Sequence, residues 1–372
     1  LNRDLHGFKK FSTQSYNLAI ARLSVLSFMI LPYRCSRKWG LMSGQSSSME
    51  HLAAESRRRI SAKLEDELGE VICTTLKEPD VVEVMVNPDG SLWVERLGKG
   101  MVQLEEDGHV SPARVIATVA AFADTVVTRQ SPIVSAVLPT DGSRFEGLLP
   151  PIVAGPTFTI RRKASKVYGL EDYTSNSIMT AADIMVLRTA IAERRNIMIA
   201  GGTGSGKTTL ANALLQEISL IHPDHRIVII EDTAEIQCSA HNKVQMLTSD
   251  EVSMERLLRS TMRLRPDRII VGEVRGGEAL TLLKAWNTGH PGGIGTIHAN
   301  SAHAALDRLE SLIGESTASP MRRLIGEAID MVLFITNENG KRRISEILEV
   351  TNSDGDIYLT KSFTRREEQH AA

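Results

Sequence analysis

Asn196 to Leu210 reads NIMIAGGTGSGKTTL, and this stretch decides how the chain folds. It opens with Ile197-Met198-Ile199-Ala200, an apolar run of the length of one buried parallel strand. Gly201-Gly202-Thr203-Gly204-Ser205-Gly206-Lys207-Thr208 follows and fits G-x-x-x-x-G-K-[ST]. Ala211, Leu214, Leu215 and Ile218 then recur at helical spacing, so strand, loop and helix come in the order a phosphate-binding loop needs. The residue types suit the chemistry. Glycines let backbone N–H groups curl around a polyphosphate at the positive end of the helix. Lys207 can reach β- and γ-phosphates, and the Thr208 hydroxyl can ligate Mg²⁺. Gly201 through Thr209 is therefore read as a nucleotide site, with ATP and Mg²⁺ as its expected ligands.

Downstream, apolar strands alternate with helical segments. Arg226 to Ile230 ends in Glu231-Asp232-Thr233-Ala234-Glu235, Ile269 to Val271 ends in Gly272-Glu273, and Ile294 to Ile297 ends at His298. Helices are expected over 253–263, 277–288 and 302–312. Such alternation implies a parallel sheet covered on both faces, with ligands beyond the carboxyl ends of its strands. Glu231, Asp232, Glu235, Glu273 and His298 should then gather near the phosphates. Phosphoryl transfer to water needs an acid on the metal and a group that orients the water. Asp232 and Glu273 each follow an apolar strand, so either can be the Walker B acid. His298, taken alone, reads as a structural histidine behind Gly292, Gly293 and Gly295.

Upstream, Ile60, Leu64, Leu68, Ile72 and Leu76 mark an amphipathic helix. A hairpin signal sits at Asn87-Pro88-Asp89-Gly90, and Ser111-Pro112 caps a helix expected to run through Val127. Strands Ile133–Leu138, Arg144–Leu149 and Thr157–Ile160 suit an antiparallel sheet with helices on one face. Lys166 to Ser177 reads as a polar linker, and Thr180 to Asp183 as a capping-box variant opening a helix. Near the end, Met331–Ile335 and Ile344–Val350 flank Asn337-Glu338-Asn339-Gly340 as a hairpin. The expected fold is α/β: a RecA-like P-loop core with a parallel sheet, preceded by a smaller α+β domain. Its boundaries are an extension over 1–54, an α+β domain over 55–163, a linker over 164–179 and the ATPase domain over 180–372.

The 372 residues carry 43 basic and 45 acidic side chains, a formal net charge of −2 that gives no support to stable DNA binding through phosphates. Cys35, Cys73 and Cys238 lie far apart, which suggests a reducing compartment and no structural zinc. Residues 1–49 hold seven basic residues against Asp4 alone. They begin at Leu1, as a literally translated non-ATG start would, with Met42 and Met49 as later starts. The apolar stretch Leu18–Leu31 contains Arg22 and is too short to span a bilayer. The expectation is a disordered or non-native extension.

Four blocks together carry a resemblance: GGTGSGKTTL (201–210), IVIIEDTAEIQ (227–237), LRPDRIIVGEVRGGEA (264–279) and NTGHPGGIGTIHANSA (287–302). In order and spacing they resemble the secretion or traffic ATPases (GspE/PulE-like), most closely the TrbB-type conjugal-transfer branch of the type IV secretion ATPases. There they are the Walker A loop, Asp box, atypical Walker B and His box. The resemblance implies that Glu273 polarises the attacking water and that Asp232 and Glu235 help hold Mg²⁺ and water. It implies that His298 senses the γ-phosphate, with Lys207 on the phosphates and Thr208 and Asp232 at the metal. Arg144, Arg161 and Arg162 become candidate phosphate-contacting arginines, and Arg275 an acid partner in the site. It implies a homohexamer on the cytoplasmic side of the inner membrane, held there through components of a mating-pair formation channel. The chain lacks the tetracysteine module of type II secretion ATPases and the C-terminal motif of the pilus-retraction branch. Those branches, a nucleic-acid-stimulated translocase and a nucleotide-gated scaffold are the alternatives.

Overall fold

The computed structural model describes residues 43–104, 110–163, 167–249, 251–338, 340–354 and 357–363. The chain divides into compact units over Leu1–Ser56 and Arg57–Ala372, and both β-sheets belong to the second. The described chain starts in helix α1, Ser43–Thr75, which is interrupted at Gly69 (φ 77°). Residues 43–54, expected in the N-terminal extension, are helical; the rest of that extension lies outside the described residues.

Strands β1 (Val81–Val86), β2 (Leu92–Arg96), β3 (Gly100–Leu104), β4 (Ile133–Val137), β5 (Arg144–Leu148) and β6 (Thr157–Arg161) form one sheet in the order β3-β2-β1-β6-β5-β4. Every neighbouring pair is antiparallel. Register sets Val94, Val84, Ile160 and Phe145 side by side across four strands, making one apolar face. That face is buried with Leu64, Leu68 and Ile72 of α1 and with Val115, Ile116 and Val119 of α2 (Pro112–Phe122). Both helices therefore cover the same side, as the pattern predicts. Helix α2 stops at Phe122, short of the expected Val127. Asp124 turns left-handed (φ 51°), the Thr125 amide closes back on the Ala120 carbonyl at 3.0 Å, and the β-branched run beyond it disfavours a further turn.

The expected linker is partly structured. Helix α3 (Leu170–Ser175) lies inside it, with its start held by Asp172, whose carboxylate accepts the Gly169 amide at 2.9 Å. Leu170 and Tyr173, one turn apart, are buried in the core of the second sheet. Helix α4 (Ala181–Ala192) then opens with the expected reciprocal cap: Thr180 Oγ1 accepts the Asp183 amide, and the Asp183 carboxylate accepts the Thr180 amide.

The second sheet contains β7 (Ile197–Ala200), β8 (Ile227–Glu231), β9 (Lys243–Leu247), β10 (Arg268–Val274), β11 (Ile294–Ile297), β12 (Met331–Glu338), β13 (Lys341–Asp354) and β14 (Ile357–Ser362). Their order is β14-β13-β12-β7-β11-β10-β8-β9. The six strands from β12 to β9 are parallel, and β13 and β14 extend one edge antiparallel. The terminal hairpin is thus not an appendage, because its first strand pairs with β7. All four residues of β7 are buried, with Ile197 and Ile199 packing on one face and Met198 and Ala200 on the other. Helices α3, α4 and α5 (Lys207–Ile221) cover the first face. Helices α6 (Met254–Thr261), α7 (Glu278–Asn287), α8 (Ala302–Gly314) and α9 (Arg322–Ala328) cover the second.

At the amino ends of these strands buried polar groups stitch the elements together. Asn196 Oδ1 accepts the amides of Gly292 (2.7 Å) and Gly293 (2.9 Å), and its Nδ2 donates to the Ala328 carbonyl at 2.8 Å. Arg268, 1% exposed, donates to His225 Nδ1 and to the carbonyls of Gly292 and Ile191. Burial pushes its pKa down to about 10. Among the described residues no helix is long and apolar enough to cross a membrane.

Candidate nucleotide site

Parallel pairing puts the carboxyl ends of β7, β8, β10 and β11 on one edge. The loop 201–206, the acids after β8, Glu273 and His298 consequently meet there. Gly206 ends the loop at φ 102°, a conformation closed to most side chains, and starts α5, so the first amides of that helix face the loop's hollow. A Cβ at Gly206 would also press within 3.3 Å of Arg342 from β13.

Lys207 is 8% exposed and folds back on its own loop, donating to the carbonyls of Gly201 (3.0 Å) and Gly202 (2.9 Å). Burial pushes its pKa down, while Glu273 opposes that shift. Lys207 Nζ lies 3.3 Å from His298 Nε2, and the same nitrogen lies 2.8 Å from Glu273 Oε1. One ring nitrogen cannot both accept from the ammonium and donate to the carboxylate, so His298 has two alternative partners. Burial, and next the Lys207 charge, lowers the His298 pKa, favouring the neutral ring. Arg275 donates to Glu273 Oε2 at 2.6 Å and to Asp232 Oδ2 at 3.3 Å, and Asp232 accepts the Thr248 hydroxyl at 2.9 Å. Lys207, His298, Glu273, Arg275 and Asp232 therefore form one connected chain of polar side chains.

A second group joins the two sheets. Glu235 accepts the Thr208 hydroxyl at 3.0 Å with one oxygen and pairs with Arg144 of β5 at 3.0 Å with the other. Arg144 stands directly opposite Arg161 in the antiparallel register. The Arg161 charge is also among those lowering the Lys207 pKa. Two guanidinium groups side by side repel, an arrangement suited to an anion between them. The Oγ of Ser205 and the Nε of Arg144, both sealed from solvent, have no hydrogen-bond partner among the described residues.

One expectation needs correcting. Arg162 does not turn to the loop; it donates to the Glu78 carbonyl at the far end of β1's approach. Successive residues of an extended chain face opposite ways, so with Arg161 towards the loop Arg162 turns from it. Of the two acids expected to help hold Mg²⁺, Glu235 accepts the Thr208 hydroxyl, while Asp232 is engaged by Thr248 and Arg275. A hydroxyl beside one carboxylate, next to a phosphate loop, fits Mg²⁺, which takes few protein ligands alongside phosphate oxygens. Among the described residues no cluster of three or more His, Cys, Asp or Glu could hold a metal by itself. Gly202, Thr203 and Gly204 line the open rim of the loop, and Thr209 lies in the first turn of α5. Sequence reasoning missed Thr248, which follows an unexpected strand, and Arg342. It noted Glu231 without assigning a role.

A family model described as Type II/IV secretion system protein matches residues 66–335. The conjugal transfer protein TrbB of Rhizobium radiobacter is 52% identical over 316 residues, covering 84% of this chain and 97% of that protein. The type IV secretion system protein PtlH of Bordetella pertussis is 33% identical over 319 residues, covering 75% of this chain and 92% of that protein. The X-ray structure of the Legionella pneumophila ATPase DotB shares the fold, with a TM-score of 0.53 at 17% identity over 79% of each chain. The chain belongs to the type II/IV secretion system protein family and, within it, to the TrbB conjugal-transfer branch.

Proposed function

We propose that this chain is the ATP-hydrolysing motor of a type IV secretion system, energising conjugative plasmid transfer or mating-pilus assembly. The observation that carries the reading is Glu273, held between His298 Nε2 (2.8 Å) and Arg275 (2.6 Å) beside the phosphate-loop lysine. A carboxylate so placed can orient a water molecule for attack on a γ-phosphorus. Lys207 leaves the Gly201 and Gly202 carbonyls for the β- and γ-phosphates, and His298 thereby keeps Glu273 as its partner. Bound at Thr208 and Glu235, Mg²⁺ would neutralise charge on the phosphate oxygens. Arg144 and Arg161 supply positive charge from the antiparallel sheet as the bond to the leaving oxygen breaks. The active form is a homohexamer, attached peripherally to the inner membrane through channel components.

The test pairs two assays of Glu273→Gln. We expect ATP turnover by the purified protein to fall by at least ~10²-fold with nucleotide binding retained. Donor cells carrying the variant at normal expression should fail to transfer plasmid. Near-normal turnover would remove Glu273 from the chemistry; lost turnover with normal transfer would move the motor to another secretion system.

A further inference from the structure

Glu231 ends β8 only 2% exposed, in the row of acids, and its carboxylate bonds into the loop that follows. Its Oε1 accepts two backbone amides from the loop that follows, Glu235 at 3.0 Å and Ile236 at 2.8 Å. Two such bonds four and five residues downstream close the segment 231–236 into a tight ring. The Glu235 side chain leaves that ring towards Thr208 and Arg144. On its other side Glu231 packs against Gly272, the residue immediately before Glu273. A Cβ at 272 would lie 2.9 Å from Glu231 Cγ and 3.4 Å from Oε1. One buried carboxyl group therefore touches the backbone carrying each of the two acids that the reaction needs.

We infer that Glu231 is a positioning residue: it fixes the 232–236 loop so that Glu235 presents its carboxylate beside Thr208, and Gly272 is glycine to leave room for it. This deepens the proposed function and rests on it for the role of Glu235, though not for the loop geometry itself. The role calls for a hydrogen-bond acceptor and not for a negative charge, since both partners are neutral amides. Glutamine keeps a carbonyl oxygen at the same reach; alanine does not. Outer-shell hydrogen bonds of this kind change metal affinity by about 10- to 100-fold when removed.

The test uses the full chain with Glu231→Gln, Glu231→Ala and Gly272→Ala. In the ligand-free protein, hydrogen–deuterium exchange of the peptide spanning 232–237 should speed up in Glu231→Ala and Gly272→Ala and stay slow in Glu231→Gln. With ADP as probe, the Mg²⁺ concentration giving half-maximal binding enhancement should rise about tenfold in the two alanine variants, while Mg²⁺-free ADP affinity holds. Glu231→Gln should remain near wild type in both. Equal damage from glutamine and alanine would overturn the inference, because charge and not acceptance would then matter. Unchanged exchange in Glu231→Ala would overturn it too. If the wild type showed no Mg²⁺-dependent ADP binding, the nucleotide reading would fall, and the exchange result would still judge the loop geometry.

Discussion

At the amino end of the parallel strands, Asn196 engages both its side-chain polar atoms and Arg268 each of its guanidinium nitrogens. At the carboxyl end, Lys207 rests on its own loop's carbonyls, His298 sits between two partners and Ser205 Oγ has none among the described residues. Both ends bury polar atoms in the same sheet. The difference lies in whether those atoms have fixed partners or exchangeable ones. Fixed partners hold strands in register, and losing one strands its mate in a dry interior. Exchangeable partners leave the folded state little poorer when removed, but they set what a ligand meets.

The contrast breaks first, if it breaks, at Asn196. Asn196→Ala orphans the amides of Gly292 and Gly293 and the carbonyl of Ala328, and should cost about 3 kcal/mol. Thermal melting of the ligand-free protein would show this, and a loss under about 1 kcal/mol would mean that the amino end relaxes more freely than its bonding suggests. Arg144→Ala should do the reverse, lowering ATP turnover about 10²-fold while the melting temperature barely moves. Its Glu235 partner is a half-exposed acid that keeps the Thr208 hydroxyl. Loss of stability without loss of rate would put Arg144 among the structural groups.

The smallest effect sharpens the comparison through pH. His222 and His225 stack at 4.3 Å, and His225 Nδ1 accepts from Arg268, so that nitrogen cannot carry a proton. Burial, and next the Arg268 charge, lowers both pKa values. A base whose folded pKa is lowered binds protons more readily when unfolded. Its contribution to stability is therefore full above the ordinary histidine value of about 6.5 and is lost as pH falls towards the lowered one. Melting temperature should drop by a few degrees more in wild type than in His225→Asn between roughly pH 7.5 and 5.5. Parallel curves would show that the stacked pair titrates as it does in the unfolded chain.

Strands β7, β8, β10 and β11 were legible because both their faces are covered, leaving unbroken aliphatic runs. Strands β9 and β14 were not, since as edges they alternate exposed and half-buried side chains and read as loop. Helix α3 was hidden in a polar stretch because only Leu170 and Tyr173 face inwards. In the site, residues at strand ends could be placed from the parallel-sheet rule alone. The choice of Glu235 over Asp232 beside Thr208 could not, because it depends on how the loop after β8 curls back onto Glu231. Nor could Arg161 be separated from Arg162, since one residue of register decides which faces the loop.

Ser205 Oγ and Arg144 Nε, buried and without a hydrogen-bond partner among the described residues, have a calorimetric consequence. A polyphosphate oxygen reaching either atom would gain a bond there without displacing a protein partner. Nucleotide association with the ligand-free chain should accordingly release heat, with the ordering of loop and side chains setting an entropy that opposes it.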